Sequence, residues 1–170
     1  MNPFADVQVS IPKANLKNKK PSEKDIQTLL LAPNPKTPIG IRDIALLRLL
    51  TIYGLEVWQI EQLETRDIDE ENEVVYIHSR TGKAQKLFID EVSMSKISKW
   101  LRTRNLFKVD TNAVFISMHW TSGRSTPGKR LSKRGIRLIV DKYLNQIGFK
   151  EYGISCKSLR QSASLFQSEK

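Results

Sequence analysis

Residues 38–54, PIGIRDIALLRLLTIYG, decide the fold of this chain. Ile44, Leu47 and Tyr53 follow a helical period, and the positions between them are also apolar: Ala45, Leu46, Leu49, Leu50 and Ile52. Such a density of apolar side chains predicts a helix that is buried on most sides. Gly54 is placed to cap the carboxyl end of this helix, because glycine readily adopts the left-handed conformation found there.

On the amino-terminal side the sequence predicts an extended segment and one further helix. Residues 1–20 contain prolines, which disfavour a helix, and four lysines, so they are interpreted as an extended basic lead-in. Ser22 is predicted to cap a helix that has acidic residues in its first turn and that Pro33 and Pro35 end. We therefore expect the folded domain to comprise residues 21–170.

Downstream, the pattern changes from helical to extended and back to helical. It predicts a short helix over 57–63 and then two strands, at 73–78 and 85–89, around a Thr81-Gly82 turn. A helix with Met94, Ile97, Trp100 and Leu101 on its apolar face follows, and after it a strand over 113–117 and a basic loop over 118–131. The last two predicted elements are a helix from the Ser132 cap to about Ile147 and a helical segment from near Ser158. The acidic run 67–71 is interpreted as a solvated turn. This order indicates an α+β, mainly α domain.

Length and composition indicate one ordinary globular domain. The chain has 170 residues, 39% of them hydrophobic, and no apolar run reaches the ~20 residues that span a bilayer. No secretion signal is recognisable at the amino terminus, and the single cysteine, Cys156, cannot form an internal disulfide. These features favour a cytoplasmic protein without a membrane partner.

The positive charge is concentrated in the second half of the chain. The net charge is +10, and residues 92–170 carry 16 basic side chains against 4 acidic ones. Between Thr111 and Val140 there is no acidic residue, while six basic ones accumulate: Arg124, Lys129, Arg130, Lys133, Arg134 and Arg137. A polyanion such as DNA is the partner that this distribution favours, because neutralised phosphates release counterions. A basic surface that serves only solubility is the alternative.

Five segments, in this order, resemble the tyrosine recombinase (phage integrase) family. They are 20–26 (KPSEKDI), 42–55 (RDIALLRLLTIYGL), 63–69 (LETRDID), 131–148 (from LSKRG to the glycine) and 158–160 (SLR), which is similar to the family's "HxLR" box. The resemblance covers nearly the whole chain. It implies the helical catalytic-domain fold of that family, with a small β-hairpin, and double-stranded DNA as the partner.

In that family a positive cage holds one phosphodiester while a tyrosine attacks it. The resemblance places Glu56 where the family has its first arginine, so a carboxylate is expected to repel the phosphate. Arg80, with Lys83 close behind, stands in the region of the hairpin lysine, and Lys157 replaces the histidine of the "HxLR" box. Arg160 alone keeps the identity of the family's catalytic residue.

The position of the tyrosines is a further departure from the family pattern. Tyr53, Tyr76, Tyr143 and Tyr152 all precede Arg160, whereas the family's tyrosine follows it. We therefore expect a domain that lacks the family's carboxyl-terminal helices and, as written, the parts needed for strand cleavage. Whether it is an enzyme stays open, with the residues favouring an inactive protein.

The predicted DNA contacts combine the hairpin turn, the basic loop and the helix after it. They are Arg80, Lys83, Arg124, Lys129, Arg130, Ser132, Lys133, Arg134, Arg137 and Arg160. Ser132 is included because the amino end of the helix that it caps can receive a phosphate oxygen. His78 and His119 are the only histidines, so we expect no metal site and no cofactor.

Three functional hypotheses follow from these residues. The first is a degenerate recombinase domain, a remnant of a mobile element, that binds duplex DNA in the nucleoid without cutting it and assists or competes with an intact recombinase. The second is a fragment of a working recombinase whose tyrosine comes from a continued chain or a partner subunit. The third is a relic that makes protein contacts and has no affinity for DNA.

Overall fold

The computed structural model describes residues 19–118 and 128–167 of the chain. The helices in this part are α1 (Glu23–Leu31), α2 (Pro38–Thr51), α3 (Val57–Gln62), α4 (Glu91–Arg104), α5 (Lys133–Gln146), α6 (Cys156–Gln161) and α7 (Ser164–Gln167). The strands are β1 (Ile68–Asp69), β2 (Val74–His78) and β3 (Ala84–Phe88), and they form one antiparallel sheet in the order β1-β2-β3. The α+β, mainly α class is confirmed.

Helix α2 lies at the centre of the core, as its apolar density predicts. Thr37 caps it through a hydrogen bond that its hydroxyl accepts from the amide of Gly40 at 3.1 Å. At the other end Gly54 has a φ of 68°, and the amide of Leu55 donates to the carbonyl of Leu49 at 3.1 Å. The predicted glycine at the end of this helix is therefore confirmed. A Cβ at residue 54 would also lie tightly against its neighbours, 3.0 Å from the Cβ of Ala163 and 3.2 Å from the carbonyl oxygen of Arg160.

A buried ionic cluster joins α2 to α5. The Arg42 guanidinium donates to Asp43 Oδ1 at 2.8 Å and to the carbonyl of Ile116 at 3.0 Å, and the hydroxyl of Tyr143 donates to Asp43 Oδ2 at 2.6 Å. Burial, together with the hydrogen bond to the Asp43 carboxylate, raises the pKa of Tyr143, so its hydroxyl stays protonated. The cluster thus fixes the helix that carries the basic residues of the second half.

The predicted β-hairpin is confirmed. Strands β2 and β3 pair in an antiparallel register in which Val75 lies opposite Leu87. The turn between them is closed by hydrogen bonds from the amide of Ser79 to the carbonyl of Lys83 and from the amide of Gly82 to the carbonyl of Ser79, both at 2.9 Å. Gly82 has a φ of 82°, which explains why glycine stands in the turn.

The interpretation of 67–71 as a solvated turn is wrong for its first residues. Asp67 is buried, and its Oδ1 lies 3.0 Å from Nε2 of His78. Ile68 and Asp69 form β1, which pairs with the start of β2. The Asp67 carboxylate is thus paired with an imidazole eleven residues further along the chain, which the sequence around Asp67 does not indicate. Residues 70–71 are exposed as predicted.

The predicted strand over 113–117 does not form a regular strand. Ala113 and Ile116 each make only an isolated bridge, to Glu64 and Arg130 respectively. Two carbonyls of this segment bind side chains of α4 instead: Trp100 Nε1 donates to the carbonyl of Val114 at 2.8 Å, and Arg104 Nε donates to that of Ala113 at 2.9 Å. Backbone hydrogen bonds hold the segment as well: the amide of Val114 donates to the carbonyl of Leu63 at 2.9 Å, and the amide of Leu131 donates to that of Phe115 at 3.0 Å.

The carboxyl-terminal helices follow the prediction in part. Ser132 caps α5 as predicted, since its hydroxyl accepts from the amide of Gly135 at 3.1 Å. The last helical segment begins at Cys156, with Ser155 as its cap, rather than near Ser158. In the described residues no helix has both the length and the apolar character to cross a membrane.

Candidate nucleic-acid interface

An open cavity of about 880 Å³ lies where α3, the hairpin turn, α5 and α6 meet. Its charged and aromatic lining residues are Glu56, Trp58, His78, Arg80, Lys133, Arg137, Lys157 and Arg160. The cationic residues that α5 and α6 contribute to the cavity are spaced at about one helical turn. Lys133 and Arg137 lie one turn apart on α5, and Lys157 and Arg160 lie three residues apart on α6, so each pair shares a helix face.

The Glu56 carboxylate stands at the centre of a three-residue ion cluster in this cavity. Its Oε1 lies 3.5 Å from Nη2 of Arg160, and its Oε2 lies 4.0 Å from Nη2 of Arg80. The indole Nε1 of Trp58 donates a hydrogen bond to the same Oε2, and the Arg80 guanidinium lies 5.4 Å from the centroid of the Trp58 ring. The carboxylate therefore faces both arginines, and an external anion can reach the arginines from the cavity.

These ion pairs are accessible to solvent. The side chain of Glu56 is 36% exposed, that of Arg160 43% and that of Arg80 82%. Exposed ion pairs of this kind contribute about 0–1 kcal/mol each, because water and salt screen the charges. The cluster consequently contributes little to folding.

The structure brings together five of the predicted basic residues and Glu56 at this cavity. Those that line it are Arg80, Lys133, Arg137, Lys157 and Arg160. Lys83, Lys129, Arg130, Ser132 and Arg134 do not line it, and Arg124 lies outside the described residues. Lys83, Lys129 and Arg134 are exposed on the surface.

Arg130 and Ser132 already have partners within the protein. The Arg130 guanidinium donates to the carbonyl of Glu61 and lies 3.5 Å from Oε1 of Glu64. At the start of α5, Ser132 accepts from Gly135, and Oε1 of Glu61 accepts from the amide of Lys133 at 3.1 Å. Two amides of the first turn are thus satisfied internally, which leaves a weaker anion site there than the sequence predicts.

Two lining residues were missed as functional candidates by sequence reasoning. Trp58 is half-buried, and the Arg80 guanidinium lies over its ring. His78, a lone histidine at the end of β2, contacts both the cavity and Asp67. Its position two residues before Arg80 was the available signal, because residues of one hairpin end lie close together.

Neither a tyrosine nor a reactive thiol is presented to this cavity by the described residues. All four tyrosines lie in that part and none lines the cavity. Burial raises the pKa of the Cys156 thiol, the lining cysteine, so it is protonated at neutral pH and a poor nucleophile. In residues 19–118 and 128–167 no three His, Cys, Asp or Glu side chains group as metal ligands.

Residues 21–167 match the phage integrase family. The chain belongs to the phage integrase family. Among curated members, the tyrosine recombinase XerC of Actinobacillus pleuropneumoniae serotype 7 is 27% identical over 146 residues, which cover 86% of this chain and 45% of that protein. XerC of Escherichia coli O127:H6 is 30% identical over 129 residues, which cover 76% and 41%. This integrase-family chain thus spans about half the length, or less, of these relatives.

Solved recombinase structures share the fold. The XerA recombinase superposes with a TM-score of 0.72 at 18% identity, over 91% of this chain and 53% of the other. The XerH recombinase bound to its difH substrate in a pre-cleavage complex gives a TM-score of 0.68 at 18% identity, over 90% and 44%. The expected tyrosine-recombinase catalytic-domain fold is confirmed by these superpositions.

Proposed function

We propose that this integrase-family domain binds duplex DNA through its basic cavity face and does not cleave it. The observation that carries the proposal is the Glu56 carboxylate, which faces both Arg80 and Arg160 inside the cavity. The domain corresponds to residues 21–170, with 1–20 as a basic lead-in, and its setting is DNA integration or recombination. A cytoplasmic, nucleoid-associated location stays a prediction.

DNA binding is supported by the charge of the cavity and of its surroundings. Five cationic side chains line the cavity, and three more of the predicted contacts, Lys83, Lys129 and Arg134, are exposed on the surface. Each backbone phosphate that they neutralise releases counterions, which drives association without reading sequence. The proposed contacts are Arg80, Lys83, Arg124, Lys129, Arg130, Ser132, Lys133, Arg134, Arg137 and Arg160. Internal partners weaken four of them: Arg130, Ser132 and, through Glu56, Arg80 and Arg160.

The loss of cleavage is supported by the chemistry of the substituted positions. Phosphoryl transfer from DNA builds negative charge on phosphorus, and a carboxylate at residue 56 opposes that charge. A guanidinium does not readily give up a proton to a leaving oxygen, so Arg80 is a poor substitute for the family's lysine. Lys157 replaces the histidine of the family's "HxLR" box, so the imidazole that assists proton transfer there is missing. Each of these departures lowers the stabilisation that the protein can give to the transition state of cleavage.

Binding is tested with a fluorescein-labelled 30-base-pair duplex whose anisotropy is followed at several salt concentrations. If about six phosphates are neutralised, affinity falls roughly 10³-fold between about 50 and 200 mM salt. A labelled single-stranded oligonucleotide of the same length is the control for duplex preference. Absence of binding at the lowest salt would contradict the proposal and favour a protein-contact relic.

Cleavage is tested with a nicked suicide duplex, on which an active recombinase stays covalently attached. We expect no covalent protein–DNA adduct. An adduct would favour the second hypothesis, a fragment of a working recombinase that takes its tyrosine from elsewhere. Adding an intact recombinase to the same assay tests the accessory or competitor role, since a competitor lowers the yield of the recombinase's own adduct.

A further inference from the structure

The turn of the β-hairpin carries Arg80 outside the core of the domain. The turn, residues 79–83, is exposed, and so are the first three residues of β3. Within the described residues, strand β1 pairs with Val74 and Val75, at the far end of β2, and not with the residues next to the turn. A hairpin of two strands is only marginally stable by itself in water. The position of Arg80 therefore depends on contacts that tie this end of the hairpin to the domain.

One such contact joins the last residue of β2 to a buried carboxylate. Nε2 of His78 lies 3.0 Å from Oδ1 of Asp67, whose side chain is 8% exposed. The other carboxylate oxygen, Oδ2, accepts a hydrogen bond from the backbone amide of Glu64 at 2.9 Å. Asp67 is thus fixed in the short 3-10 turn Thr65–Asp67 while it binds the imidazole. A hydrogen bond to a buried carboxylate is stronger than one in water, because no solvent competes for the oxygen.

The other contacts near the turn do not fix it in the same way. In the described part of the chain, the side chains of residues 78–88 make two hydrogen bonds, one between His78 and Asp67 and one that stays within the turn. The Arg80 guanidinium lies 4.0 Å from Glu56, and the Arg80 side chain is 82% exposed. The contact between Arg80 and Glu56 must open when Arg80 binds DNA, whereas the contact of His78 can persist.

We infer that His78 is a positioning residue: it ties the turn end of the hairpin to the buried Asp67 carboxylate and so holds Arg80 at the cavity. His78 lies two residues before Arg80, and it lines the same cavity. A hairpin end that is already ordered loses less conformational freedom when Arg80 meets DNA, so more of the contact energy appears as affinity. This inference rests on the proposed function, in which Arg80 is one of the DNA contacts.

The test is a double-mutant cycle between His78 and Arg80, measured on the whole chain in the labelled-duplex assay. His78→Ala is expected to weaken binding about threefold and Arg80→Ala about fivefold, since Glu56 already weakens the Arg80 contact. In the Arg80→Ala background, His78→Ala is expected to change the affinity by less than about 1.5-fold, because the two residues act through one contact.

A conservative variant and a matched control complete the experiment. The side-chain amide of His78→Gln reaches about as far as Nε2 of histidine and can donate to Asp67, so its affinity is expected to lie within about 1.5-fold of that of the unaltered chain. Gln85→Ala truncates an exposed side chain of β3 in the same hairpin, and it is expected to change the affinity by less than about 1.5-fold.

Three outcomes would overturn the inference, and they are distinguishable. Equal effects of His78→Ala in the two backgrounds would mean that His78 does not act through Arg80. A His78→Gln variant that binds as weakly as His78→Ala would mean that the hydrogen bond to Asp67 is not the tie. Absence of salt-dependent binding by the unaltered chain would remove the proposed function itself. Thermal unfolding checks each variant, and if His78→Ala is unfolded at the assay temperature, His78→Asn, which is too short to reach Asp67, replaces it in the cycle.

Discussion

Two ionic clusters in this protein have similar composition and opposite surroundings. In the buried cluster, Arg42, Asp43 and the hydroxyl of Tyr143 are enclosed between α2 and α5, and the Arg42 side chain is 1% exposed. In the cavity cluster, Arg80, Glu56 and Arg160 face solvent. The comparison shows that burial, more than the identity of the charged residues, decides whether an ion pair holds the fold or governs the binding of an external ion.

The physical reason is the cost of leaving a charge without a partner. In the interior an unpaired charge has no water to solvate it, so removing one partner is strongly destabilising. In the cavity, water replaces the lost partner, and the stability changes little. The buried cluster therefore fixes the position of α5, and the cavity cluster sets what α5 and α6 can bind.

The largest expected effect comes from breaking the buried cluster. Asp43→Ala leaves the Arg42 guanidinium buried without its carboxylate and is expected to lower the free energy of unfolding by about 3–5 kcal/mol. Urea unfolding followed by circular dichroism measures this loss. Glu56→Ala, which removes a carboxylate from the cavity cluster, is the matched control and should cost less than about 1 kcal/mol. Equal losses in the two variants would contradict the comparison.

A smaller effect is expected at the edge of the buried cluster. Tyr143→Phe keeps the ring and removes only the hydroxyl that donates to Asp43 Oδ2. A hydrogen bond to a charged group is worth about 1.5–3 kcal/mol, so a loss in that range is predicted from the same unfolding experiment. Tyr152→Phe, at a half-buried tyrosine outside the cluster, serves as control. A loss no larger than the control's would show that the hydroxyl contributes nothing.

A cluster of intermediate exposure gives a pH-dependent prediction. Burial raises the pKa of Asp90, but hydrogen bonds from Tyr53 and Ser93 outweigh it and hold that pKa below its ordinary value. Since the folded-state pKa is depressed, the stabilisation is present above the unfolded value of about 3.9 and is lost as the pH falls below it. Asp90→Asn keeps a good helix cap for α4 and should lose less stability than the unaltered chain between about pH 6 and pH 3. Identical losses in the two proteins would contradict this assignment.

The smallest effect is expected where one partner of an ion pair is almost fully exposed. Arg66 lies 2.8 Å from Glu64, but its side chain is 81% exposed. Arg66→Ala is therefore expected to change the free energy of unfolding by less than about 0.5 kcal/mol. A loss above about 1 kcal/mol in urea unfolding would mean that exposure does not rank the ion pairs of this protein.

Sequence reasoning predicted the elements whose signals are local. Helix α2 follows from its apolar density, and the hairpin follows from the glycine turn between two β-rich segments. It could not predict β1 or the irregular 113–117 segment, because their form depends on His78, Trp100 and Arg104 from other elements. Those partners are set by tertiary packing.

Which residues form the candidate site could be predicted from the sequence, but which of them form ion pairs with one another could not. The resemblance to recombinases identified Glu56 as a departure, and repulsion of phosphate was the expected consequence. The simultaneous approach of Glu56 to Arg80 and Arg160 depends on residues far apart in sequence, so only the folded chain shows it.

The most direct test of the account is the DNA affinity of Glu56→Gln in the labelled-duplex assay. Glutamine keeps the shape of the side chain and removes its negative charge, which frees Arg80 and Arg160 for phosphate. The account predicts binding about tenfold tighter than that of the unaltered chain, with a steeper dependence on salt. Unchanged or weaker binding would contradict the claim that this carboxylate holds the cavity's arginines away from DNA.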